Sequence, residues 1–180
     1  MARTMRDEAL LLSGQKIASP PQWMIGAVEN PFAAPLAFRA ERLGKKVAAG
    51  AQFCQTQLIF DVEIFERWMA RVRELGLDRR CHIIAGVGPL RSLRALEFMR
   101  REVPGMHVPE SIVARLRAAA DTEAESILIC AEIIRRVRAI PGVSGIHVMT
   151  VGWEEAIPEI LDRAGIGARS AGARTRLAPC

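Results

Sequence analysis

FCQTQLIF, residues 53–60, is the stretch that decides how the rest of the chain reads. It lies between Gly50 and Asp61 and is rich in aromatic and β-branched residues, which favour a strand. Alternation puts Phe53, Gln55, Gln57 and Ile59 on one face and Cys54, Thr56, Leu58 and Phe60 on the other. The second face suits packing against helices. The first carries two glutamine amides into what should be an interior, where an unpaired amide costs on the order of a few kcal/mol. Both amides therefore need partners. Either neighbouring strands supply a polar network, or a ligand sits near the carboxyl end of the strand, where proteins of alternating strands and helices place their sites.

Working outward, three more apolar segments read as strands: 23–28 (WMIGAV), 82–87 (HIIAGV) and 145–151 (GIHVMTV). Helical spacing fills the intervals. In 36–49, Leu36, Ala40, Leu43 and Val47 share a face and Gly50 supplies the stop; in 62–75, Phe65, Trp68, Met69, Val72 and Leu75 make a core stripe between an Asp61 cap and Gly76. Helices follow at 91–102, from Pro109 to about 119, at 123–139 behind a Thr122–Glu125 capping box, and at 154–164. The order is a helix and then four strand–helix units, the third with a helical insertion. Repeated alternation of this kind implies parallel strands with right-handed crossovers. An open doubly wound sheet and part of a (β/α)8 barrel both fit; four strands make half of such a barrel.

With 180 residues, half of them apolar, the chain can build one core of ordinary size. Its net charge of +5 comes largely from Arg169, Arg174 and Arg176, leaving 22 basic against 20 acidic residues in 1–165. With no basic run interleaved with aromatics, nucleic-acid binding is not expected. Residues 1–165 read as one domain and 166–180 as a flexible basic tail. No apolar run approaches the ~20 residues that span a bilayer, so a soluble, cytoplasmic protein without membrane contact is expected. The four cysteines form no C-x-x-C pair, and Cys54 and Cys130 sit in apolar runs as small hydrophobes. His82, His107 and His147 share no metal-ligand spacing; His82 and His147 read as core or network histidines. GVGPLR (86–91) reads as a tight turn, and Glu63–Arg67 as an i, i+4 surface pair.

The segment GAQFCQTQLIFD (50–61) resembles the sixth strand and flanks of methylenetetrahydrofolate reductases. GAVENPF (26–32) is similar to their fifth strand and its loop, ERLGKKVAAGA (41–51) to the next helix, and HIIAGVGPL (82–90) to strand seven. VPE (108–110), IPGVSGIHVMTVGWEEAIPEILDRAGI (140–166) and the N-terminal ARTMRDEALLLSG extend the likeness over residues 2–166, with the short bacterial form nearest. The resemblance implies a flavoprotein of α/β class, a (β/α)8 TIM-barrel with only strands five to eight present here. It implies FAD at the carboxyl strand ends, NAD(P)H as electron donor, and reduction of 5,10-methylenetetrahydrofolate to 5-methyltetrahydrofolate in one-carbon and methionine metabolism. Gln57 matches the folate-binding glutamine, whose amide offers a donor and an acceptor to the pterin edge. Lys45 and Lys46 match the basic pair near the FAD phosphates and ribose, and Asn30 falls at a FAD-contacting position. Arg42 joins the cofactor set, because Arg39, Arg42 and Lys46 form one helical stripe able to meet a pyrophosphate.

The chain also departs from the family. Arg39 and Arg42 replace other residue types, Ala95 stands near a second ligand-binding glutamine, and Trp153 near a ligand-binding arginine. The strands that carry the family's catalytic glutamate and flavin-tuning aspartate have no counterpart, so no catalytic residue is assigned and the chain reads as the carboxyl half of a reductase. Alternatives stay open: a non-catalytic half-barrel subunit completed by a separate amino-terminal half or by a second copy, a protein fed by an electron-delivering partner subunit, or a flavin-free pterin-binding barrel.

Overall fold

A computed structural model describes residues 1–167, so the expected basic tail lies outside the described residues from Ala168 onward. Four strands, β1 (Gly26–Glu29), β2 (Phe53–Leu58), β3 (His82–Val87) and β4 (Val143–Val148), form one sheet in the order β1-β2-β3-β4. Every neighbouring pair is parallel. Strands that follow one another in space as they do in sequence are consistent with part of a TIM barrel; a doubly wound sheet reverses direction at a switch point.

The helices are α1 (Ala2–Asp7), α2 (Arg39–Ala48, preceded by a 3-10 turn at Leu36–Phe38), α3 (Val62–Glu74), α4 (Leu93–Glu102), α5 (Glu110–Ala118), α6 (Thr122–Arg138) and α7 (Ile157–Arg163, preceded by a 3-10 turn at Glu154–Ala156). Asp61 caps α3 by accepting from the Ile64 amide at 2.8 Å, and Gly50 and Gly76 take the positive φ that ends α2 and α3. The capping box expected at Thr122 does not form. Asp121, one residue earlier, caps the helix by accepting from the Ala124 amide at 3.0 Å, and Glu125 instead forms an ion pair with Arg115 on α5. Glu63 likewise pairs with Arg136 of α6 rather than with Arg67 one turn away.

The core lies between the sheet and its helices. Cys54, Leu58, Ile83, Ala85 and Val87 on one sheet face meet Leu43, Phe65, Met69, Val72 and Ile134 from α2, α3 and α6. Large apolar side chains buried this fully contribute roughly 1.5–3 kcal/mol each. The other sheet face is uncovered: Val28 is 73% exposed, and Phe53, Gln55, Ile84 and His147 are only part-buried. Parallel sheets are ordinarily buried on both faces. Among the described residues, this one has a wall of helices on one face, an uncovered floor on the other and unpaired outer edges on β1 and β4.

At the amino ends of the strands, α1 is fastened through Arg6, which donates to Gln52 Oε1 at 2.5 Å and to the Trp23 carbonyl. Gln52 Oε1 also accepts from the Ile25 amide at 3.1 Å. No described helix is long and apolar enough to cross a membrane.

Candidate functional site

The carboxyl end of β2 is irregular. Gln55 pairs with Ile84 and Leu58 with Gly86, so β2 spends three residue steps where β3 spends two. The extra residue makes a bulge at Thr56–Gln57, a device that re-aims a side chain at a strand end. Buried Thr56 repairs the interrupted ladder: its hydroxyl accepts from the Gly86 amide and donates to the Gln57 carbonyl, both at 2.9 Å. Glycine at 86 is required here, because a Cβ would stand 2.5 Å from the Thr56 carbonyl oxygen. Past the bulge the alternation lapses. Ile59, which strict alternation groups with the glutamines, is fully buried in the core instead.

The bulge delivers Gln57 to a cleft of about 400 Å³ at the carboxyl ends of β1 and β2, shared with Asn30, Arg42, Lys46, Gln55 and Glu29. Four of the five candidate residues thus come together. Lys45 is exposed on α2 and does not line the cleft. Cavities of similar size, about 430 Å³ at the amino strand ends and about 470 Å³ between α2 and α3, contain none of the five. Gln57 Oε1 accepts from the Leu58 amide at 3.0 Å, which fixes the side chain and leaves its NH2 without a partner among the described residues.

The basic stripe on α2 is not the free cationic surface its spacing suggests. Arg39 is buried, donating to the carbonyls of Ala33 and Ala34 at 2.6 and 2.5 Å, with its guanidinium 3.8 Å from Glu29 Oε1. Lys46 Nζ lies 2.7 Å from Glu29 Oε2 and also donates to the Val28 carbonyl. Glu29 closes β1 on the helix side of the sheet, 4% exposed, and a buried carboxylate requires paired cations. It takes up two of the three stripe residues. Arg42 is exposed and has no ion pair or hydrogen bond among the described residues, so three cations against one carboxylate leave the cleft net positive.

Asn30 is engaged at both ends of its amide: Nδ2 donates to the Gly105 carbonyl and Oδ1 accepts from the Phe32 amide, each at 3.0 Å. Gly105 has φ +74°, and a Cβ there would strike Asn30 Nδ2. The α4–α5 connection continues over the same loop. His107 stacks on Phe32 with centroids 6.4 Å apart, and its Nε2 lies 3.1 Å from Asp61 Oδ2. Residues 103–109 therefore strap the β1–α2 loop to the head of α3. Trp153 is buried, with the Arg91 guanidinium from another loop 5.5 Å above its ring.

The sequence puts Gln55 on a face expected to be interior, with neighbouring strands as one source of partners, but does not name the partner; the face is open instead, and the partner is on β4. Gln55 Nε2 meets His147 Nδ1 at 2.8 Å across β3, from a residue 92 positions away. His147 is thus a network histidine, whereas His82 is exposed at the start of β3.

Sequentially ordered parallel strands backed by helices on one face define an α/β protein, an arrangement consistent with part of a TIM barrel, and polar side chains gather in a cleft at the carboxyl strand ends, where such proteins bind ligands. The sequence profile of the family described as methylenetetrahydrofolate reductase matches residues 29–165, and the chain belongs to that family. Methylenetetrahydrofolate reductase 2 of Saccharomyces cerevisiae is 30% identical over 133 residues, covering 70% of this chain and 21% of that protein. The probable methylenetetrahydrofolate reductase (NADPH) of Caenorhabditis elegans is 29% identical over 150 residues, 79% of this chain and 22% of the relative. The chain thus spans about a fifth of the length of these curated relatives. Among solved structures, a protein from Clostridium thermocellum described as binding two copies of 5-methyl-5,6,7,8-tetrahydrofolic acid superposes with a TM-score of 0.61 at 16% identity, covering 91% of this chain and 68% of that one. At that identity the likeness speaks for the fold.

Proposed function

We propose that this chain forms the carboxyl half of a flavin-dependent (β/α)8 reductase that converts 5,10-methylenetetrahydrofolate to 5-methyltetrahydrofolate at the expense of reduced nicotinamide. One observation carries the reading: in a member of this family, the β2 bulge presents Gln57, its NH2 unpartnered, in a net-positive cleft at the carboxyl strand ends. An amide held through its oxygen offers directed donors to the acceptor edge of a pterin. The bare sheet face and two unpaired edges favour four further strands closing the barrel, from the same polypeptide or a complementary one.

The cleft residues fit a dinucleotide in charge. Arg42 would meet the pyrophosphate and Lys46 would add positive potential from its place beside Glu29, while Asn30 holds the loop that borders them. FAD, when bound, supplies the hydride relay between nicotinamide and folate. Glu29 is committed to Lys46 and Arg39 on the far side of the sheet and is unsuited to proton donation, so that role falls to the strands that complete the barrel.

The test is the full-length protein carrying this chain, purified and examined for bound yellow flavin. Gln57→Ala is expected to retain flavin and to slow reoxidation of the reduced protein by methylenetetrahydrofolate at least tenfold. Unchanged folate kinetics would refute the assignment of Gln57, and a protein that neither carries flavin nor responds to added FAD would sink the reductase reading.

A further inference from the structure

The open sheet face carries a second polar device, distinct from Gln57. Gln55 on β2 and His147 on β4 are joined side chain to side chain at 2.8 Å, although β3 runs between them. The bridge is possible because the β3 residue beside His147 in register is Gly86, which puts no side chain in the way. Both residues belong to the uncovered face: Gln55 pairs with Val28 and Ile84, and His147 follows Gly145 by two residues on β4. Both are part-buried. Gln55 also lines the cleft that holds Gln57.

The contact couples the imidazole to the amide orientation. With the amide nitrogen of Gln55 facing the ring, as here, His147 Nδ1 accepts and the ring proton belongs on Nε2; the reversed amide would select the other tautomer. Nε2 has no protein partner among the described residues, and it is not a sealed, unsatisfied atom either, so it stands free to donate. An imidazole held in one tautomer is a directed donor at low reorganisation cost. A bridge needed only to hold strands would gain little here, since β3 already pairs with both β2 and β4.

We infer that His147 is a ligand-binding residue of this site, donating its Nε2–H to an acceptor on the folate's pterin ring, and that Gln55 is its positioning residue, selecting the tautomer. This rests on the folate reading of the cleft. It adds a donor from β4 to the one from Gln57 on β2, so that the bound ring is gripped from two strands across the floor.

In full-length protein, nitrogen-15 NMR of the His147 ring should report the Nε2–H tautomer in the wild type and a mixture in Gln55→Leu. Titration with 5-methyltetrahydrofolate should show His147→Phe binding about tenfold more weakly, the loss of one directed hydrogen bond. Gln55→Leu should weaken binding severalfold alone and add nothing to His147→Phe, since its effect passes through the imidazole. A His147→Phe protein that binds as tightly as wild type overturns the contact. An Nδ1–H tautomer in the wild type, or additive losses in the double variant, overturns the positioning role. Wild-type protein that fails to bind the folate at all overturns the reading of the cleft itself, a result separable from the other three.

Discussion

Thr56→Val tests the bulge that the site depends on. Valine matches threonine in shape but has no hydroxyl, so nothing else about the packing should change. The buried Gly86 amide then loses its acceptor and the Gln57 carbonyl loses a donor. A buried amide left without a partner costs about 1–3 kcal/mol, and Thr56 is 4% exposed with no ready route for water. Taking about 2 kcal/mol, a domain of this size should melt roughly 4–8 °C lower. Thr56→Ser keeps the hydroxyl and should stay within about 2 °C of wild type. Calorimetry gives the shift, and amide hydrogen exchange at Gly86 reads the broken bond directly, with protection falling in valine but not in serine. Folate affinity should fall with stability in Thr56→Val, because Gln57 takes its direction from the same turn of backbone. If Thr56→Val melts like wild type with Gly86 still protected, the hydroxyl does not hold the bulge and the argument from bulge to Gln57 fails.

Other perturbations probe the frame around the cleft. Glu29→Gln leaves Arg39 and Lys46 facing a neutral amide; with Lys46 about a third exposed, the loss should be about 2–3 kcal/mol, read by urea denaturation, and Lys46→Met should be milder. Burial pushes the thiols of Cys54 and Cys130 up to about 12, so neither should react with iodoacetamide at pH 8 until the protein unfolds, and rapid labelling of native protein would contradict the packing. The Arg115 hydrogen bond holds Glu132 below its ordinary value of 4.5, so the α5–α6 tie contributes fully above that pH and is lost as pH falls through the lowered value; the melting temperature of Glu132→Gln should therefore depend less on acid than that of wild type.

How much of this was legible in the sequence differs from element to element. All four strands could be placed, because each combines β-branched or aromatic residues with glycine or polar boundaries. Their ends could not. Trp23 and Met24 read as the start of β1, and Met149 and Val151 as the end of β4, yet all four lie outside the strands with much of their surface exposed. An apolar run marks a segment that avoids water, not the register at which pairing stops. Helical spacing put Arg39, Arg42 and Lys46 on one face but could not reveal that Glu29, at the end of a neighbouring strand, claims two of them. The bulge was invisible because one additional residue leaves no compositional mark until a partner strand is aligned beside it. Gln57 was singled out by its face and by family likeness together; Gln55's partner could not be named because a contact across 92 residues is a property of the sheet, not of either segment.

The strand order has a consequence for how the chain can assemble. Since, among the described residues, each of β2, β3 and β4 pairs with the strand just before it in sequence, each finds an edge already laid down when it leaves the ribosome. Growth can then proceed like laying a course of bricks, one unit locking against the last. On the half-barrel reading proposed above, the contacts made last are those that would close the barrel around β4, and until they form the newest edge and the uncovered sheet face are where a chaperone would find its grip.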